Sequence, residues 1–420
     1  MPRSRSAPDA DPFGPCAADA AREVALAHLR RAEARAGAPE GLPGVPGAAV
    51  TSVAVIGGGP AGVSTAAAVA QAGLEVTLLE PDAHDRQRAS DLLERLIARL
   101  GVDGAVWRAS GDPAALGGAG LVIDTGEAED RAALLGAVPP ESLLAVTELG
   151  PGLSALAASV RAPERLLGLL LEPPAHATRL AEIGGHAGTS PGALATAFAF
   201  AQRLGRMAVP SGGIGARLTL RLMDEIDAML IEGAVPWEID EAMRAFGYDQ
   251  GPLEAQDQGG LLRVQALRRA RNRRKADVIQ ARMVAEGRLG RPAGVGWYRY
   301  PGGGGAVIDP LIEDLVREEA HFAAVPQRDM SEPEIRRRLL LAQVDEAARL
   351  LEDGAARRPS DIDLVSVHGL GFPAARGGLL CWADRVGAGR LLAAWREAEL
   401  GPPAGMLARL AREGGRFGEA

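Results

Sequence analysis

The sequence predicts an α/β fold, with a doubly wound domain followed by a duplicated all-α region. Three observations predict it. A strand, a glycine turn, a helix, a second strand and an acid follow one another within residues 53–80. Strand-length apolar segments then alternate with helical ones to about residue 210. Beyond about Ile214 helical periodicity continues without strands, and it does so in two copies of one pattern.

The first run decides the domain type. Val53-Ala54-Val55-Ile56 is a buried strand by composition, and Gly57, Gly59 and Gly62 follow in G-x-G-x-x-G spacing before an alanine-rich helix over 63–72. Gly57 permits the tight turn, Gly59 lets the backbone approach a pyrophosphate, and Gly62 lets the helix pack closely on the strand. The helix N-terminus offers N–H groups and a positive dipole to phosphates. Glu80 closes the second strand, 23 positions after Gly57, where a carboxylate accepts hydrogen bonds from an adenosine ribose. A 2′-phosphate would meet like charge there. This is a Rossmann opening that predicts NAD or FAD over NADP, and the Gly-Gly-Gly-Pro-Ala-Gly turn with its later acid is locally closer to flavoprotein openings.

Composition bounds the rest. A chain of 420 residues accommodates two or three domains, and 47% apolar with 24% charged residues is ordinary for a soluble globular protein. The net charge of -8 argues against a nucleic-acid partner. No apolar run reaches the roughly 18 residues of a membrane span, and the N-terminus lacks the apolar core of a secretory signal, so no membrane association and a cytoplasmic location are expected. Cys16 and Cys381 are too few and too distant for a disulfide framework or a cysteine metal site, and no metal is expected.

In chain order, residues 1–18 are rich in Pro, Ala and Asp and are expected to be disordered. A helix over about 18–36 follows, on which His28 is expected at the surface, and then a Pro-bearing linker over 37–49. After Glu80 come a charged helix over 84–100, with a solvated His84, and strands over 120–124, 142–147 and 166–171. Asp124 ends the first of these strands near the expected dinucleotide crevice and is a cofactor-binding candidate. Helices are expected over 214–232, 237–246 and 260–271. The basic run Arg268 to Lys275 lacks interleaved aromatics and reads as a solvated helix end, with reception of an anionic substrate tail as the other reading.

The repeat pairs Asp224-Glu225, Leu230 to Ala234 and Glu238-Ile239-Asp240 with Asp345-Glu346, Leu350 to Ala355 and Asp361-Ile362-Asp363, and each copy continues into a Gly-rich loop. Such duplication serves packing and assembly, and a homodimer through the helical half is expected. The domain plan is therefore residues 1–49 as tail, helix and linker, 50–210 as the Rossmann domain, 211–305 as the first helical domain and 306–420 as its repeat.

With these segments in view, the chain from about residue 50 to 415 resembles the 3-hydroxyacyl-CoA dehydrogenase family. The resemblance rests on the Rossmann domain, on Gly290-Arg291-Pro292-Ala293-Gly294-Val295-Gly296-Trp297-Tyr298-Arg299-Tyr300, and on His368-Gly369-Leu370-Gly371-Phe372-Pro373 with Arg376-Gly377-Gly378. The duplicated end is similar to the dehydrogenase part of multifunctional fatty-acid β-oxidation enzymes. Leu42-Pro43-Gly44 resembles the linker before that part, and the enoyl-CoA hydratase part is expected to be absent. The resemblance implies NAD as cofactor, resolving the flavin question, and an acyl-CoA as ligand.

It also implies a site. In the family a His takes the substrate's hydroxyl proton as hydride leaves for NAD, a Glu orients the His, and Ser and Asn side chains hold the substrate oxygen. Here the His-Phe-Phe-Asn-Pro segment corresponds to Leu170-Leu171-Glu172-Pro173-Pro174, and the partner acid, twelve residues on, is Glu182. Ser-Asn-Thr-Ser corresponds to Val146-Thr147-Glu148-Leu149, and Pro-Gly-Phe-Ile-x-Asn-Arg to Ser211-Gly212-Gly213-Ile214-Gly215-Ala216-Arg217. The base is thus Leu170, the Ser is Leu149 and the Asn is Ala216, while Glu182 remains as the catalytic-site candidate. His176 is the one nearby imidazole, six residues beyond the base position. His186, His321 and His368 read as structural, and Thr147 or Glu148 as sources of new polar contacts. Two readings follow: an NAD-dependent dehydrogenase with a remodelled site, and a catalytically silent relative that binds NAD, an acyl-CoA or a protein partner.

Overall fold

Eight strands and seventeen helices are present among the described residues of the computed structural model, which are 12–14, 19–37, 44–126, 131–270 and 278–418. Most of the expected disordered tail, the linker residues Leu42 and Pro43, and residues 271–275 of the basic run lie outside them. The chain divides into two compact units. One comprises residues 32–214 with 354–357, and the other comprises 1–31, 215–353 and 358–420. Both helical copies thus belong to one unit, which also takes in most of the N-terminal helix.

The first unit holds β1 (Ser52–Ile56), α2 (Pro60–Gln71), β2 (Glu75–Leu79), α3 (Ala83–Arg99), β3 (Trp107–Ser110), β4 (Leu121–Asp124), α4 (Arg131–Ala137), β5 (Leu143–Val146), α5 (Pro151–Ala157), β6 (Leu166–Leu171), β7 (Leu180–Gly184), α6 (Pro191–Arg203) and β8 (Met207–Pro210); the helix before β1 is α1 (Asp19–Arg35). The sheet order is β3-β2-β1-β4-β5-β6-β7-β8. The first six strands run parallel, whereas β7 is antiparallel to β6 and β8 runs with β7. The doubly wound order 3-2-1-4-5-6 is therefore extended by a reversed pair.

The central strands are apolar on both faces because helices cover both. Val53, Val55, Leu78, Leu167, Leu169 and Leu171 face the side packed by α2, α3 and α6. Ala54, Ile56, Val122, Leu144, Val146 and Leu166 face the opposite side, with Leu134, Leu135 and Leu153 of α4 and α5. This alternation fixes which side chains of β6 and β7 share a face, and the site depends on it.

The second unit contains α7 (Ile214–Glu232), α8 (Pro236–Phe246), α9 (Pro252–Gly259), α10 (Leu261–Ala270), α11 (Val278–Ala285), α12 (Pro310–Ala323), α13 (Glu332–Glu352), α14 (Pro359–Leu370), α15 (Leu379–Val386), α16 (Ala388–Glu397) and α17 (Gly405–Glu413). The repeat is visible in its hydrogen bonds. Asp240 of α8 accepts from Leu253 N (2.8 Å) and Glu254 N (3.0 Å) at the start of α9. Asp363 of α14 accepts from Leu380 N (2.7 Å) and Cys381 N (3.1 Å) at the start of α15. In both copies a glycine precedes the capped helix because a β-carbon would strike the aspartate. It would lie 2.1 Å from Asp240 Cγ at Gly251 and 2.4 Å from Asp363 Cβ at Gly378.

The two carboxylates differ in their third donor. Tyr298 Oη donates to Asp240 at 2.8 Å, and Asp257 holds Trp297 N, Tyr298 N and Tyr300 Oη. This explains the Gly290-to-Tyr300 motif as a strap across the first copy. In the second copy His28 Nε2 of α1 lies 2.8 Å from Asp363 Oδ2. The expectation of a surface His28 is therefore corrected.

Within the expected disordered tail, Phe13 is buried. It meets Trp382 edge-on at 5.7 Å in a cluster with Phe246, Tyr248 and Phe372, while Arg376 donates to the carbonyl of Gly14. Apolar burial of one aromatic ring outweighs the polar composition around it. Arg268, expected to be solvated, is also buried, with Nη2 2.5 Å from Asp227 Oδ2. Among the described residues no helix is long and apolar enough to cross a membrane, and no three His, Cys, Asp or Glu side chains gather as metal ligands.

Burial pushes the Asp240 carboxyl up to about 6, against its backbone and Tyr298 hydrogen bonds. A raised folded value means the folded state binds the proton more tightly, so the stability associated with Asp240 falls as pH rises through that value. The Asp240→Asn variant carries no such charge. Its stability relative to the unaltered protein is expected to improve by about 1 kcal/mol between about pH 5 and about pH 7 in urea unfolding.

Candidate functional site: the glycine turn and the β6–β7 hairpin

The glycine turn has the geometry its residues predict. Gly57 sits at φ 108°, in the left-handed region. A β-carbon on Gly62 would lie 1.8 Å from the carbonyl oxygen of Gly57, so only glycine lets α2 approach the turn. Gly59 is the N-cap of α2 and no side chain caps that helix. Its N-terminus is open to an anion. Glu80 Oε2 accepts from Gly58 N at 2.8 Å, and Glu80 Oε1 from Asp82 N at 3.1 Å. Gly58 was not singled out in the sequence, yet a β-carbon there would lie 2.9 Å from Glu80 Cγ. The acid is thus fixed at the lip of the turn, and these residues fit an adenosine diphosphate moiety.

Asp124 ends its strand beside the end of β1, as expected, and has a partner that the sequence did not indicate. It is fully buried at the end of β4, its Oδ2 accepts from Arg131 Nε at 2.6 Å and its Oδ1 from Gly126 N at 3.1 Å. Burial pushes its carboxyl up, while Arg131 opposes the shift. Arg131 also holds Glu148 through Nη1 (2.5 Å) and Nη2 (2.6 Å), tying the β4 and β5 loops together. Arg131 is thus the side-chain partner of Asp124. Arg131 has no motif signal in the sequence, since its partners lie 7 and 17 positions away across a loop.

The β6–β7 hairpin carries the remaining site residues. Leu170 pairs directly with Glu182, and Gly168 with Gly184, so all four share one face. Glu182 is 1% exposed and its Oε2 lies 2.5 Å from Ser211 Oγ, which donates to it. Ser211 Oγ in turn accepts from Gly213 N and Ile214 N, both at 2.9 Å, at the start of α7. Leu149 packs onto the glycine pair: a β-carbon at Gly168 would lie 2.5 Å from Leu149 Cδ2, and one at Gly184 3.0 Å. Leu149 and Leu170 are both half-buried. Ala216 lies in the first turn of α7 and offers only a methyl group.

His176 is not brought to this face. Its Nδ1 lies 3.0 Å from Ser64 Oγ of α2, and its neighbour Ala175 packs with Leu171 in the core on the other side of the sheet. Burial first, and then Arg99 and Arg206, hold its imidazole below the ordinary value. His186 is structural: Nδ1 accepts from Gly188 N and Nε2 faces the Pro163 carbonyl at 2.8 Å.

Comparison with known proteins accords with this geometry. The family model described as 3-hydroxyacyl-CoA dehydrogenase, NAD binding domain, matches residues 52–119 and 129–213, and the model of the family's C-terminal domain matches residues 212–300. Together they cover more than half of the chain. The chain belongs to the 3-hydroxyacyl-CoA dehydrogenase family. A peroxisomal bifunctional enzyme from Danio rerio is 31% identical over 378 residues, covering 82% of this chain and 52% of the relative. A fatty acid oxidation complex subunit alpha from Shewanella amazonensis is 29% identical over 278 residues, covering 62% and 38%. The chain spans about half the length of the curated relatives it matches first. The fold is shared with 3-hydroxybutyryl-CoA dehydrogenase from Escherichia coli (TM-score 0.68, 21% identity, 87% of this chain and 99% of that one). It is shared also with the dehydrogenase part of a multifunctional enzyme from C. elegans (TM-score 0.61, 24% identity, 91% and 96%).

Within this 3-hydroxyacyl-CoA dehydrogenase family member, two of the expected departures from the family pattern meet on one acid. Leu170, expected at the base position, pairs across the hairpin with Glu182, and Ser211, expected in the slot of a family Pro, donates to Glu182. The serine was unremarkable in the sequence because β7 and β8 must first pair to set residues 182 and 211 side by side.

Proposed function

We propose that this protein binds NAD(H) in the manner of 3-hydroxyacyl-CoA dehydrogenases and is silent in their hydride-transfer reaction. The observation that carries the reading is the Leu170–Glu182 pair: the cross-strand neighbour of the retained acid is a hydrocarbon side chain, and the acid itself is engaged by Ser211. When bound, NAD supplies the hydride acceptor. Gly57, Gly59 and Gly62 seat its pyrophosphate, and Glu80 takes the adenosine ribose hydroxyls in exchange for its backbone partners. The imidazole that takes the proton of a substrate hydroxyl in the family is then missing from the Leu170 position. A general base is worth about 10²–10⁴-fold and an oxyanion contact about 10²–10³-fold. Losing base, Ser and Asn together removes about 10⁴-fold or more even when their effects are not additive.

A fluorescence titration with NADH and NADPH tests the cofactor half. NADH is expected to bind, with NADPH weaker by about tenfold or more because its 2′-phosphate meets Glu80, and Glu80→Ala is expected to narrow that gap. Failure of NADH to bind refutes the reading. Failure of the silence half is read separately, as consumption of NADH with acetoacetyl-CoA.

A further inference from the structure

The β6–β7 face is more than a site with parts missing. Three features make it apolar together. Leu170 presents a half-buried isobutyl group, Leu149 presents another, and Glu182, the acid paired with Leu170, is 1% exposed and hydrogen-bonded to Ser211. The two leucines are held in place. Leu149 has room only because Gly168 and Gly184 oppose one another without β-carbons, and Leu170 is fixed by the register of the hairpin. Ser211 cannot turn its hydroxyl to a ligand without releasing Glu182 and the N–H groups of Gly213 and Ile214, from which it accepts. Glu148 does not restore polarity there, because it is clamped by both Arg131 terminal nitrogens.

From this we infer that the ligand of the site is an acyl-CoA thioester whose C3 carries no oxygen, a saturated acyl group, in preference to the 3-hydroxy or 3-oxo thioester. The inference rests on the function proposed above and takes the acyl C3 to lie against Leu170 and Leu149, the positions that correspond to the family's His and Ser. A hydroxyl or ketone seated there loses its water without gaining a partner, whereas a methylene loses nothing. Discrimination by a hydrocarbon surface against an added hydroxyl is of the order of tenfold to a hundredfold. A thioester without a C3 oxygen also has no hydride to exchange at that carbon, so the same residues that abolish turnover select a ligand that needs none.

The test is calorimetric titration of the full chain, saturated with NADH, with butyryl-CoA, 3-hydroxybutyryl-CoA and free CoA. Butyryl-CoA is expected to bind about tenfold or more tighter than 3-hydroxybutyryl-CoA and tighter than free CoA. The Leu149→Ser/Leu170→His double variant is expected to lose or reverse the preference. Equal binding of the two thioesters, tighter binding of the hydroxy compound, or thioesters no tighter than free CoA each overturn the inference. NADH binding and NADH consumption in the same samples report on the proposed function separately, so loss of acyl selectivity with silent NADH binding refutes only the acyl assignment.

Discussion

Replacing Asp363 by alanine is expected to destabilise the helical unit by about 3 kcal/mol or more, measured by urea unfolding followed through tryptophan fluorescence. Three donors converge on this fully buried carboxylate: Leu380 N, Cys381 N and His28 Nε2. Each buried donor left without an acceptor costs about 1–3 kcal/mol. The loss is reduced by relief of the carboxylate's own burial, which pushes its pKa up. Even the reduced loss is a large share of the roughly 5–15 kcal/mol that holds a typical domain together. Because Asp240 does the same work in the first copy, Asp240→Ala is expected to behave alike. Asp363→Asn, which keeps one acceptor oxygen, is expected to fall between. An alanine variant within about 0.5 kcal/mol of the parent, the range of ordinary surface substitutions, contradicts the reading of these aspartates as paired keystones.

Adding a single methyl at Gly62 is expected to lower NADH affinity by about tenfold to a hundredfold, or about 1.4–2.8 kcal/mol. The new β-carbon would sit 1.8 Å from the Gly57 carbonyl oxygen and 2.9 Å from its carbon, both backbone atoms that no side-chain rotation moves aside. α2 must then withdraw from the turn, taking its N-terminus from the phosphates. Gly73→Ala is the control, since Gly73 closes the same helix at φ 69° with open space around it. That variant is expected to carry about 1–2 kcal/mol of backbone strain and leave NADH affinity nearly unchanged. Equal NADH affinity in Gly62→Ala and the parent refutes the close-approach role.

What the sequence made legible follows from local physics. β1, β2, β4, β5 and β6 are short apolar runs, and the glycine spacing with Glu80 is contained in one β-α-β length. The repeat was legible because Asp240 and Asp363 recur with the same neighbours, although their capping role appeared only in the structure. Strands β3, β7 and β8 escaped notice because each breaks the apolar pattern, with Arg108, Glu182 and Pro210 respectively. In β7 the offending residue is the candidate site acid itself. Contacts spanning great sequence distance were beyond reach for a different reason. His28 meets Asp363 across 335 positions, and nothing in the periodicity of either helix encodes the partner. The Arg131 partner of Asp124 was out of reach on a similar point, since it lies beyond a loop.

The most direct test of a silent site is NADH consumption with acetoacetyl-CoA by the purified protein, beside a Leu170→His variant that returns an imidazole to the position opposite Glu182. The unaltered protein is expected to bind NADH and to consume it at less than about 10⁻⁴ of the rate of an active family member run under the same conditions. Turnover near that of the active enzyme, by a protein that has Leu170 beside Glu182, would show that another group moves the proton and would contradict the account.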